Sequence, residues 1–147
     1  MYGDSGVMRR RAAQLREQGV DLRALADQLV ARTESIAWTG RAADSMRQRI
    51  RDRAAQVREA AARHETAAES LERHLLEVES LKETIASTER RADALVTEAR
   101  TRVARVEAHA DPAGLRRSPD PADARLAAFT PPPRGHKDWL TVEIPGL

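Results

Sequence analysis

Apolar and small residues recur along the first third of the chain at the spacing of a helix seam. Met8, Leu15, Leu22, Leu29 and Ile36 follow one another every seven residues, and Ala12, Gly19, Ala26 and Thr33 sit between them at the alternating three-and-four step. A mean period of 3.5 residues is that of a coiled-coil stripe. It predicts an amphipathic helix over residues 7–36, in which small residues let a neighbouring helix approach closely and large ones interdigitate. Gly19 is the weak point, since glycine costs a helix about 1 kcal/mol relative to alanine.

A second stripe follows the same spacing. It runs through Ala43, Met46, Ile50, Ala54, Val57, Ala61, His64, Ala68, Leu71, Leu75 and Val78. After a register change near Val78–Leu81 it resumes as Leu81, Ile85, Thr88, Ala92, Leu95, Ala99, Val103 and Val106. Neither Gly nor Pro occurs between Arg41 and Ala110, whereas all seven prolines lie beyond residue 110. The pattern predicts one long helix over residues 41–110, roughly 105 Å if unbroken, against roughly 45 Å for the first. The stretch Ser80-Leu81-Lys82-Glu83 has the form of a capping box, but without a Gly or Pro there the continuous helix is the better reading. Residues 111–147 read as an extended, mobile, proline-rich tail. Its last part, Trp139-Leu140-Thr141-Val142-Glu143-Ile144, alternates apolar and polar positions and suits a strand or aromatic anchor offered to a partner.

Between the stripes stand Trp38, Thr39 and Gly40. Glycine permits the positive φ of a tight reversal, the indole offers a large apolar plug at the open end of a hairpin, and Thr39 can cap a helix starting near Arg41. The expected fold is therefore all-α: an antiparallel, coiled-coil-like two-helix hairpin over residues 1–110, with a long second helix and a disordered tail over 111–147. Trp38 and Gly40 set the turn. Leu15, Leu22, Leu29 and Ile36 are expected to meet Met46, Ile50, Val57 and Leu71 in the buried seam.

Charge agrees with a reversal. Residues 41–63 hold seven arginines against Asp44, Asp52 and Glu59, and residues 64–89 hold seven glutamates against Arg73 and Lys82. A chain folded back at Gly40 sets Arg9, Arg10 and Arg11 beside Glu65, Glu69 and Glu72. It also sets Glu17, Asp21 and Asp27 against the arginine-rich stretch 47–63. Exposed pairs of this kind are worth about 0–1 kcal/mol each, so they choose register more than they stabilise.

Composition narrows the chemistry. Of 147 residues 33% are charged and only 3% aromatic, a balance that suits thin helical layers rather than a thick core. With no cysteine, disulfides, thiolate zinc sites and cysteine nucleophiles are excluded. His64-Glu65 opens like a zinc-protease helix motif but lacks the second histidine four residues on; with no paired base or phosphate-binding loop either, no catalytic, cofactor or metal site is expected. The run Arg47, Arg49, Arg51, Arg53 straddles a helix instead of forming one phosphate-tracking stripe, so nucleic acid is not an expected partner. No apolar run reaches the ~18 residues of a membrane span, and Met1–Arg11 shows no apolar signal core.

A helix of this length, then Trp38-Thr39-Gly40, Ala42-Ala43 and the bulky Met46, resembles the WXG100 (ESAT-6-like) family. The surrounding LRALADQLVARTESIAWTGRAADSMRQRI also resembles the N-terminal domain of longer type VII secretion substrates from actinobacteria. The likeness spans roughly residues 5–80. It implies a hairpin that dimerises into a four-helix bundle, with itself or with a WXG100-like helical partner. It further implies a non-enzymatic protein exported without a cleavable signal peptide, or a cytoplasmic partner of a secreted effector brought to the type VII secretion ATPase. The family's Tyr-x-x-x-Asp/Glu export signal after the second helix is absent, Tyr2 being the sole tyrosine. Export would then rest on a partner that carries the signal. The alternative is a cytosolic coiled-coil scaffold or adaptor unrelated to secretion.

Overall fold

A computed structural model describes residues 5–109 and 117–147, so Tyr2 lies outside the described residues. Two long helices, α1 (Ser5–Glu34) and α2 (Arg41–Ala108), are followed by a short helix α3 (Pro121–Ala127) and a 3-10 turn over Lys137–Thr141. The described residues contain no strand. The 68-residue α2 is continuous through Ser80, whose carbonyl accepts from the Thr84 hydroxyl at 3.0 Å. The chain divides into two compact units, Met1–Val78 and Glu79–Leu147.

In the first unit α1 packs on the N-terminal half of α2 as an antiparallel hairpin. The buried positions of α1 are Ala12, Gly19, Ala26 and Thr33, and those facing them on α2 are Ala43, Ala54, Ala61 and Ala68. Every one is small; on α1 they recur every seven residues, and on α2 Ala54, Ala61 and Ala68 do so, with the buried Leu75 one heptad further on. The helices approach so closely at Gly19 that a Cβ there would lie 3.2 Å from the Ala61 carbonyl oxygen and 3.1 Å from Glu65 Cγ. Thr33 is tolerated because its hydroxyl bonds back to the Leu29 carbonyl at 2.7 Å.

The close approach corrects the expected seam. Leu15, Leu22, Ile50, Val57 and Leu71 are only half-buried, and Leu29, Ile36 and Met46 are exposed. Where the two backbones come closest, over Gly19 and Ala61, there is no room for a leucine, so the large residues there lie to the flank of the line; Leu75 is the one buried leucine among the described residues of this unit. A buried methyl contributes about 0.8 kcal/mol against about 1.5–3 kcal/mol for a buried leucine. The hairpin thus draws little energy per contact and depends on dense packing along its whole length.

In the second unit the buried stripe of α2 changes phase. After Leu75 it skips Lys82 and resumes at Ile85, Ala92, Val96 and Ala99, a three-residue shift of the kind that repeats use to redirect a seam. This stripe is covered by the tail, which is not the extended mobile segment that its prolines suggest. Trp139 is 5% exposed and forms a cluster with Ile85 and Ala92, against which Phe129, Val142, Ile144 and Leu147 pack. The Trp139 indole N–H donates to the Pro133 carbonyl at 3.0 Å, and Phe129 meets the ring edge-on at 6.4 Å. Helix α3 starts on Asp120, whose carboxylate accepts from the Ala122 N–H at 2.8 Å, with Pro121 at the first helical position. The alternation over Trp139–Ile144 builds no strand; it becomes one 3-10 turn and a short extended run laid on the chain's own α2.

Polar contacts hold the tail down. Arg102 grips Asp123 through two bonds, Nε to Oδ2 at 2.9 Å and Nη2 to Oδ1 at 2.7 Å. Arg91 donates to the Gly146 carbonyl at 3.1 Å, and the Gly135 N–H donates to the Glu89 carboxylate. The Arg102 hydrogen bonds lower the Asp123 pKa below its usual value, and the same contact raises that of Arg102.

Two outcomes follow from this packing. Ala61→Leu forces a large side chain into the closest contact and should destabilise the hairpin by about 1–3 kcal/mol. Val20→Ala, at a site 59% exposed, should change stability by less than about 0.5 kcal/mol; circular dichroism melts compare the two. For the tail, a carboxylate with a lowered folded pKa stabilises above its unfolded value near 4 and loses that contribution as pH falls through the folded one. Hydrogen exchange at the Trp139 indole should therefore accelerate in acid below about pH 4, and Asp123→Asn should flatten that dependence.

Candidate interaction face

The two flanks of the hairpin seam differ in chemistry. On one side runs a ladder of ion pairs between helices: Arg16–Glu72 at 2.7 Å, Arg23–Glu65 at 2.8 Å, Asp27–Arg58 at 2.6 Å and Glu34–Arg51 at 3.2 Å. The expected charge complementarity is present, with different partners. Glu65 and Glu72 are engaged by Arg23 and Arg16 instead of the Arg9–Arg11 cluster, and of the acids in α1 named from sequence only Asp27 reaches an arginine of the 47–63 stretch. Each of these pairs is largely solvated and worth about 0–1 kcal/mol.

The opposite flank is apolar. Helical phase places Leu15, Leu22, Leu25 and Leu29 of α1 there, beside Met46, Ile50, Val57, His64 and Leu71 of α2, and Ile36 follows beyond the end of α1. Leu25 and Ile36 are each 49% exposed and Met46 40%. Gln18, Asp21, Leu22, Leu25 and His64 line a shallow depression of about 420 Å³ on this side. His64 is half-buried, and its Nδ1 is enclosed without a hydrogen-bond partner. Ion pairs confined to one flank and aliphatic side chains to the other make a face able to dock another apolar helix surface. No helix among the described residues is long and apolar enough to cross a membrane.

The corner between the helices is built differently from its sequence reading. Gly40 has φ +102°, a conformation that L side chains rarely adopt. Its carbonyl accepts the first bond of α2 from the Asp44 N–H at 3.1 Å, so Gly40 itself, not Thr39, stands at the cap. Trp38 does not plug the hairpin; it is 48% exposed. The reversal is tied by Arg47, a residue sequence reasoning passed over. Arg47 Nη2 donates to the Ile36 carbonyl at 3.1 Å and to the Trp38 carbonyl at 2.5 Å, while Nη1 reaches Asp44 Oδ1 at 3.3 Å. One guanidinium thus satisfies two carbonyls freed by the end of α1. The available signal was position: Arg47 falls one heptad before Ala54, where the seam otherwise takes a small residue.

No family model, curated protein or solved structure matches this chain.

Replacing Arg47 by alanine strands the Ile36 and Trp38 carbonyls and should cost about 1–3 kcal/mol, a drop of several degrees in melting temperature. Arg47→Lys should recover only part of it, because an ammonium lacks the planar fork that reaches both carbonyls. Full recovery by lysine would show that charge alone holds the corner.

Proposed function

We propose that this chain is a non-enzymatic helical-hairpin protein of type VII secretion, a substrate or the targeting partner of a secreted effector, acting by pairing its apolar flank with a second hairpin. The observation that carries the reading is the segregation of the two flanks. Leu25, Leu29 and Met46 are left exposed with the half-buried Leu22 and Ile50 on the side that helical phase sets away from the ion-pair ladder, and the exposed Ile36 and Trp38 follow the end of α1. Two helices bury only one line of each other, and a second layer is the usual way to cover the rest. Pairing two such flanks about a two-fold axis makes a four-helix arrangement without burying any of the four ion pairs. The Trp38-Thr39-Gly40 reversal, with glycine at positive φ between two long helices, supports the resemblance to WXG100 hairpins.

One sequence feature favours a second reading. No tyrosine follows α2 to supply an export signal, and a cytosolic scaffold or adaptor would need none. Fractionation of host cells separates the two. Inactivating the type VII secretion ATPase should lower the extracellular amount of the protein or of the effector that co-purifies with it; unchanged levels of both favour the adaptor. Pairing is measured independently by sedimentation at micromolar concentration. The wild-type chain should exceed its 16.3 kDa monomer mass, and Leu25→Glu with Ile36→Glu should return it to the monomer with helicity retained. A wild-type monomer would overturn the pairing.

A further inference from the structure

The second unit holds a cleft of about 380 Å³ between α2 and the triproline turn, lined at its base by Val96, Phe129, Pro132 and Trp139. Along α2 it extends from Glu89 to Arg100, eleven residues or about 16 Å of helix rise. Its volume falls within the range of small-ligand pockets.

The base offers a ligand no free polar group, since the Trp139 N–H is already given to the Pro133 carbonyl. A body lying there must be apolar. The rim is charged but unevenly committed. Glu89 takes the Gly135 amide, and Arg90 pairs with Glu83 at 3.1 Å. Arg100 donates Nε to the Ala127 carbonyl at 3.3 Å, and its terminal nitrogens make no ion pair among the described residues. Arg134 and Asp93 make no ion pair among the described residues. Two guanidiniums therefore stand against one carboxylate, and a cationic head would find Asp93 alone.

We propose that this cleft binds an elongated apolar anion of the alkyl- or arylalkyl-carboxylate class, its hydrocarbon on Trp139, Phe129 and Val96 and its carboxylate at Arg134 and Arg100. Guanidinium–carboxylate bonds supply the orientation, and burial of the hydrocarbon supplies most of the affinity. The site is confined to the tail and the C-terminal part of α2, so it stands or falls apart from the pairing of the hairpin.

The test uses the full-length chain, labelled with nitrogen-15, and 4-phenylbutyrate as probe. The protein has two tryptophans, and so gives two indole N–H resonances, with Trp38 as the internal control. Phenylbutyrate should shift the Trp139 resonance saturably, with a Kd on the order of 0.1–1 mM for a ligand of this size, and leave Trp38 in place. The matched cation, 4-phenylbutylammonium, should bind at least ~10-fold more weakly, and Arg134→Glu should weaken the anion by a similar factor. If Arg134→Glu disturbs the tail, read as loss of the dispersed Trp139 signal without ligand, Arg134→Gln serves in its place. No saturable shift, equal binding of anion and cation, equal shifts at both indoles, or indifference to the Arg134 change would each overturn the proposal.

Discussion

Close contact between two backbones is the constraint from which the hairpin follows. With alanine, glycine and one threonine at the buried positions of α1 and alanine opposite them, the two helices meet so tightly that a single added Cβ at Gly19 would press on the Ala61 carbonyl. A seam of that kind excludes leucine from its own centre. The aliphatic side chains are therefore displaced sideways, and what a looser hairpin would use as core becomes a surface feature. The exposed leucines and the buried alanines have one geometric cause.

Charge then decides which side stays exposed. The ladder from Arg16–Glu72 to Glu34–Arg51 closes one flank with contacts that water already satisfies, and it contributes little energy. Its effect is to fix register and to leave the other flank as the single apolar one. The corner belongs to the same scheme. Arg47 occupies a seam position at the mouth of the hairpin and spends its donors on the carbonyls of the turn. The Trp38 side chain is left half exposed.

The second unit solves the same problem by other means. Where the stripe shifts phase beyond Leu75, no second long helix covers it. Trp139, Phe129 and the following aliphatics cover it instead, latched by Arg102–Asp123 and by Arg91 on the Gly146 carbonyl. The few aromatic residues of the chain are placed accordingly, two of them in this one cluster.

The sequence by itself determined the helices, their continuity through Ser80, the reversal at Gly40 and the opposed charge blocks, because period, the absence of breakers and a positive-φ glycine act locally. A reading by composition takes residues 111–147 as an extended tail and misses α3, which starts on the Asp120 cap with Pro121 at its first position. Only the tertiary structure decided which members of each stripe are buried. Leu22 and Ala26 sit on the same stripe, and no local rule says that the smaller one faces the neighbour until the interhelical distance is known. Nor could local pattern show that Trp139 folds onto Ile85 and Ala92, or that Arg47 reaches Ile36 and Trp38. Those contacts join residues brought together by the path of the chain, and each depends on a backbone already in place.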